Sequence, residues 1–110
     1  MEKVDFLDWK KLDLRVGQIK KIEKVENADK LYKLEIDLGN ETRTIVSGLV
    51  PYYSEKELLN KKIILFCNLS PKKIKGIESK GMVLAAVDEK QNKVKLLQPD
   101  EDIDVGSRVC

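Results

Sequence analysis

The chain has 110 residues, 42% of them hydrophobic and 36% charged, with 21 Lys and Arg against 19 Asp and Glu and a formal net charge of +2. That length holds one core and not two, and no apolar run approaches the roughly 18 residues that a membrane helix needs, so residues 1–110 read as one soluble globular domain. Histidine is absent, which excludes an imidazole base, a Ser-His-Asp or Cys-His arrangement and a His-ligated metal, and two cysteines cannot build a zinc site.

In chain order, Asp5 to Leu14 places Phe6, Trp9 and Leu12 three apart, the spacing of one or two turns of amphipathic helix with Asp5 as its cap. This helix is expected first to close one end of the core, and second to bury a subunit contact through Phe6 and the only Trp. Arg15 to Val25 also spaces Val16, Ile19, Ile22 and Val25 by three, yet its β-branched content and Gly17 predict a long strand bent by a bulge. A polar turn over Glu26–Lys30 follows. Leu34, Ile36 and Leu38 then alternate with Lys33, Glu35 and Asp37 in a half-buried strand, which turns at Gly39 and Asn40 into a third strand over Glu41–Ser47.

Gly48 and Pro51 end that strand, and Ser54-Glu55-Lys56-Glu57 reads as a capping box opening a short helix with Leu58 and Leu59 inward. Lys62–Leu69 is a fourth strand. From Asn68 to Gly81 the glycines and Pro71 predict an irregular, charged loop. Met82–Val87 is a fifth strand, apolar enough for burial on both faces. A turn over Asp88–Asn92 and a strand over Lys93–Gln98 extend the chain. Three strands, a helix and two strands, with the first strand bent, predict an all-β fold: a five-stranded Greek-key barrel of the OB type, with short helices and an extra C-terminal strand region.

Charge is gathered in one place. Residues 61–80 hold six lysines against the single acid Glu78, and Lys72, Lys73, Lys75 and Lys80 crowd the loop. Clustered cations near flexible glycines read equally as a nucleic-acid footprint and as a lysine-rich solvent loop, although a merely solvated face tends to intersperse its signs. No Gly-rich phosphate loop is present and no pair of carboxylates or lysines stands in a catalytic frame, so the chain is expected to be non-catalytic, with no cofactor. The opening MEKVDFLDWK lacks the basic-then-apolar layout of a secretory leader, which leads to an expected cytoplasmic location. Cys67, within an apolar run, and Cys110 are expected to be reduced and unpaired.

Five ordered pieces carry a resemblance: Leu12-Asp13-Leu14-Arg15-Val16-Gly17, Asn27-Ala28-Asp29-Lys30-Leu31-Tyr32, Val46-Ser47-Gly48-Leu49, Cys67-Asn68-Leu69-Ser70-Pro71-Lys72-Lys73 and Gly76-Ile77-Glu78-Ser79-Lys80-Gly81-Met82. Together they resemble the tRNA-binding domain family, which includes the C-terminal domain of methionyl-tRNA synthetases, its free-standing beta-subunit form and structure-specific tRNA-binding proteins. The resemblance implies an OB-fold that binds tRNA in general and often forms a homodimer. It also implies an RNA-binding surface at Asn27, Lys30, Ser47, Asn68, Lys72, Lys73, Ser79, Lys80 and Met82. Asn27 reads equally as a turn residue, Ser47 as a partner for a strand-end backbone group and Met82 as core filler. Lys80 departs from relatives that carry Gln there.

Six aromatics are too few for a ladder of base-stacking platforms. Lysine contacts to phosphates are expected instead, reading the shape of a folded RNA with little sequence preference. Partners are expected to be tRNA, a second copy of the chain and the methionyl-tRNA synthetase catalytic subunit. The apolar side chains left over after barrel closure either wrap its outside or are shared with a second copy; sharing is preferred, and Phe6, Trp9, Leu96, Leu97, Ile103 and Val105 are assigned to the dimer interface. The alternative function is a peptide-binding, chaperone-like or synthetase-docking module.

Overall fold

Strand β1 (Leu14–Lys24) organises the barrel because it is long enough to serve different neighbours along its length. The computed structural model describes all residues from 1 to 110. On one side Leu14 to Gln18 pair antiparallel with β4 (Lys62–Phe66). On the other, Leu14 and Arg15 pair with β10 (Arg108–Val109), and Gln18 to Lys24 pair with β2 (Tyr32–Asp37). The register shifts between Ile19 and Lys21, so the expected bulge exists, but it lies at Lys20 and not at Gly17. Gly17 serves packing instead: a Cβ there would stand 2.6 Å from Ile36 Cγ2, so only glycine lets β2 approach so closely.

β2 and β3 (Thr42–Ser47) form the expected hairpin, from Asp37 opposite Thr42 to Tyr32 opposite Ser47. After β4 the barrel wall continues in β7 (Met82–Val83), giving the order β3-β2-β1-β4-β7. Between β3 and the segment preceding β7 the ladder is reduced to a seam, in which the Lys80 N–H donates to the Thr44 carbonyl at 3.0 Å. The result is a nearly closed, five-stranded antiparallel barrel of the OB type. Thirteen buried residues fill it, among them Ile19, Leu34, Ile36, Ile45, Leu58, Ile63 and Leu65. A smaller cluster of Leu14, Val16 and Ile64 packs outside the wall, against Leu12, Leu84 and Val109.

Several expectations are corrected. Helix α1 is a single turn, Phe6–Trp9, with no buried residue and no side-chain cap from Asp5. Phe6 is 70% exposed, so this turn does not close the core, although Trp9, at 37%, is partly covered by the chain; a helix this short has no stability of its own. Helix α2 (Glu55–Leu58) has both bonds of its capping box, Ser54 N–H to Glu57 Oε1 at 2.8 Å and Glu57 N–H to Ser54 Oγ at 3.2 Å. Of its two leucines only Leu58 faces inward, with no exposure, while Leu59, already past the helix in an extended conformation, is 50% exposed.

The fifth strand is not one buried run. At Leu84 the chain leaves the barrel wall, and β8 (Ala85–Asp88) pairs with β9 (Lys93–Leu96) as a separate ribbon on which Val87 is 64% exposed. Asn68–Gly81 is not irregular either. β5 (Lys72–Ile74) and β6 (Ile77–Ser79) form a hairpin around Lys75 and Gly76, whose φ values of 50° and 81° are those of a two-residue type I′ turn.

Burial separates the two leucines of α2 sharply. Leu58→Ala is expected to lower stability in urea unfolding by about 2–5 kcal/mol, and Leu59→Ala by no more than about 0.5 kcal/mol.

Candidate nucleic-acid interface

The hairpin sets Lys72 opposite Ser79, Lys73 opposite Glu78 and Ile74 opposite Ile77. Alternation turns Ile74, Ile77 and the buried Ser79 toward β3 and leaves Lys73 and Glu78 on the outer face. Lys72, Lys73, Lys75 and Lys80 are all exposed. None is in an ion pair: the five that exist join Lys11 to Asp8, Arg15 to Asp13, Lys33 to Glu23, Arg43 to Glu41 and Lys62 to Asp102. Four ammonium groups thus project from one small ribbon with no carboxylate bound to them.

The root of the hairpin is tied to the barrel. The Ser79 hydroxyl accepts the Val46 N–H at 3.0 Å and donates to the Gly81 carbonyl at 3.3 Å. Gly81 itself has φ of 136°, and a Cβ there would lie 2.7 Å from the Phe66 carbonyl oxygen, so glycine is required by both conformation and space. Arg43 donates from Nε to Glu41 Oε1 at 2.7 Å, and from Nη1 to the carbonyls of Cys67 and, at 3.3 Å, Lys80. Asn68 faces the other way: its Oδ1 accepts the Asp13 N–H at 2.8 Å and its Nδ2 donates to the Lys11 carbonyl at 2.6 Å.

Beside the hairpin, Ser47 ends β3 half-buried, and the exposed loop between β1 and β2 carries Asn27, with φ of 62°, and Lys30. The Lys30 carbonyl accepts the Val50 N–H at 3.3 Å, which holds this loop to the end of β3. The fold therefore brings Asn27, Lys30, Ser47 and the hairpin lysines around the β3 end of the barrel. Ser79 and Asn68 belong there by position, but their polar atoms are engaged within the protein. Met82 pairs with Phe66 at the foot of the hairpin and is 44% exposed, so it is not core filler.

Arg43 is the residue that the sequence reading missed. Its signal was present: in Thr42–Ser47 the alternation that turns Ile45 inward puts Arg43 on the same side. The outer face of the β1-β2-β3 sheet, by contrast, neutralises itself. Glu23 pairs with Lys33 at 3.4 Å, and Glu35, opposite Lys21, accepts the Thr44 hydroxyl at 2.9 Å. A hydrogen bond from Arg15 holds Asp13 below the usual carboxylate range, Arg43 does the same for Glu41, and burial pushes the Cys67 thiol up.

Of the side chains assigned to a dimer contact, Phe6, Trp9, Leu97 and Ile103 are exposed and Val105 is half-buried. Leu96 is 8% exposed within the core of its own barrel, its N–H bonded to Tyr53 Oη at 3.0 Å. The tail wraps β1, with the Gly106 N–H on the Val16 carbonyl at 2.7 Å and the Val16 N–H on the Ser107 carbonyl at 2.9 Å.

The family model for the tRNA binding domain matches residues 14–108. The chain is similar to a methionine–tRNA ligase of Pyrococcus horikoshii, 53% identical over 109 residues, which cover 99% of this chain and 15% of that protein. It is also similar to the methionine–tRNA ligase of Methanococcus aeolicus, 47% identical over 110 residues, all of this chain and 16% of that protein. The chain thus spans about 15% of the length of these curated relatives. Among solved structures, a MetRS-related protein from Pyrococcus horikoshii superposes with a TM-score of 0.93 at 44% identity over 100% of both chains. The CsaA chaperone protein of Picrophilus torridus superposes with a TM-score of 0.88 at 34% identity, covering 98% of this chain and 100% of that one.

Because the Ser79 hydroxyl satisfies a strand amide, Ser79→Ala is expected to cost about 1–3 kcal/mol of stability. Thermal unfolding compared with Ser70→Ala, at an exposed hydroxyl, checks this; equal melting temperatures would mean that the Ser79 hydroxyl is free for a ligand.

Proposed function

The chain belongs to the tRNA-binding domain family, and from that premise we propose that it binds tRNA without catalysing a reaction, through phosphate contacts that read the shape of a folded RNA and not its sequence. The observation that carries this reading is the cluster of four exposed lysines on the hairpin and at its root, Lys72, Lys73, Lys75 and Lys80, none of them in an ion pair and with Glu78 as the one acid among them. Unpaired ammonium groups keep their full attraction for phosphates and release counterions when they bind. The neutral outer sheet face carries no aromatic along its paired strands, so stacking on it adds little. In this reading the domain lends tRNA affinity to a methionyl-tRNA synthetase, as its beta subunit or as a free-standing cytoplasmic protein, and Asn27, Lys30, Ser47 and Met82 border the lysine surface.

The same reading includes a homodimer, in which Phe6, Trp9, Leu97 and Ile103 meet a second copy and two hairpins act on one RNA. Duplicated weak patches gain affinity from effective concentration, which a single domain of net charge near zero needs. A second reading is favoured by the likeness to CsaA chaperone proteins: the exposed apolar side chains would then hold a peptide, with little dependence on salt.

Replacing Lys72, Lys73 and Lys75 together by Ala is expected to weaken binding of all tRNA species by similar factors, and to lower the log–log salt slope by about 1 for each lysine that had bound a phosphate. Titration of several purified tRNAs at three salt concentrations checks both. Weakening confined to one tRNA would show base readout, and a flat salt dependence would favour the peptide reading. For assembly, light scattering at micromolar concentration is expected to give twice the 12.6 kDa of one chain, and Phe6→Glu with Ile103→Glu to return it to one. A monomeric wild type would remove the dimer.

A further inference from the structure

Residues 68–80 leave the barrel after Cys67 and return at Gly81, and the only regular structure between is a hairpin of three residue pairs. A two-stranded hairpin is marginal by itself in water, so the direction of these lysines is set by its contacts with the barrel, which are the half-buried Ile74 and Ile77 turned toward β3 and the bonds at the root. Three groups make those bonds. Ser79 and the Lys80 N–H bind β3 on the returning side only. Arg43 alone reaches both sides, because one guanidinium nitrogen donates to the carbonyl of Cys67, just before the excursion, and to that of Lys80, just after it. Its Nε is held by Glu41, and its backbone is paired to Ile36 in the barrel wall. A planar guanidinium holds Glu41 at Nε and both carbonyls at Nη1 in fixed directions, whereas a lysine carries all its donors on one nitrogen.

We infer that Arg43 is a positioning residue, a clip that joins the two ends of the lysine hairpin and sets its direction from the barrel without contacting RNA itself. The inference rests on the reading of the hairpin as the RNA-binding element. Arg43 differs from the hairpin lysines in that its charge is already matched by Glu41 and its side chain is 24% exposed. With the clip in place Lys72, Lys73, Lys75 and Lys80 are displayed in advance, and binding does not have to order them. Without it the same phosphates are reached, but the ordering entropy falls on the binding step. Affinity then drops while the number of counterions released stays the same.

The experiment compares wild type, Arg43→Met and Arg43→Lys, with Lys72→Ala as the control for removal of one phosphate-binding charge. Amide hydrogen exchange is measured on the free proteins. Binding of mixed tRNA is measured at three salt concentrations, at a temperature where every variant is folded. In Arg43→Met the amides of residues 72–80 are expected to exchange at least about tenfold faster, while those paired between β1 and β4 keep their protection. The tRNA affinity of Arg43→Met is expected to fall about tenfold or more with an unchanged salt slope, whereas Lys72→Ala lowers the slope by about 1. Arg43→Lys falls between wild type and Arg43→Met.

Unchanged protection of the hairpin overturns the proposal. So does a slope lowered by about 1 in Arg43→Met with protection intact, since that marks a direct phosphate contact. Should Arg43→Met fail to fold, Arg43→Lys decides by the same criteria, because a lysine's single nitrogen cannot stand at both the Nε position on Glu41 and the Nη1 position on the two carbonyls. Should wild type bind no tRNA, the exchange data still decide the clip, and only the reading of the hairpin as an RNA element fails.

Discussion

The seam between β3 and Ser79–Gly81 is the constraint on which both barrel and candidate site depend. Elsewhere the wall is made of regular antiparallel ladders. Here a few bonds do the closing: Ser79 Oγ on the Val46 N–H, the Lys80 N–H on Thr44, and the Arg43 guanidinium across two carbonyls. A buried strand edge with unmatched N–H and C=O groups would be costly, and these bonds, two of them from side chains, stand in for a further ladder. The lysine hairpin grows from the same residues. Closure of the core and presentation of the charge therefore share one structural cause.

That arrangement also separates the tasks of stability and binding. Stability resides in apolar side chains inside the barrel, a cluster that includes none of the exposed lysines. Charges on the sheet face and around Arg15 and Asp13 find partners within the chain. The hairpin keeps its charges free at little cost, because four ammonium groups on an exposed ribbon are screened by water and salt. Exposed ion pairs there would contribute little stability and would reduce the attraction for an anion.

Much of this was legible in the residues. The alternation of Leu34, Ile36 and Leu38, the turn at Gly39-Asn40 and the Ser54–Glu57 capping box are local patterns whose physics acts within a few residues, and each appears as expected. The errors share a different origin. Phe6 and Trp9 show helical spacing, but spacing cannot say how far a face will be buried, and no residue of this turn reaches the core. Met82–Val87 is a single apolar run by composition, yet its two halves belong to different sheets because Leu84 hands the chain from β4 to β9.

The lysine-rich stretch shows where the boundary falls. Its charge, its excess over Glu78 and its glycines follow from the sequence alone, since net charge and permissive φ are properties of residue types. That Lys75 and Gly76 fold back as a two-residue turn, that Ser79 is occupied by Val46, and that Arg43 reaches Cys67 and Lys80 were decided only in the tertiary structure. The turn is local, but the other two depend on backbone groups brought together from segments that are distant in the chain, and a carbonyl carries no mark in the sequence of the side chain that will find it.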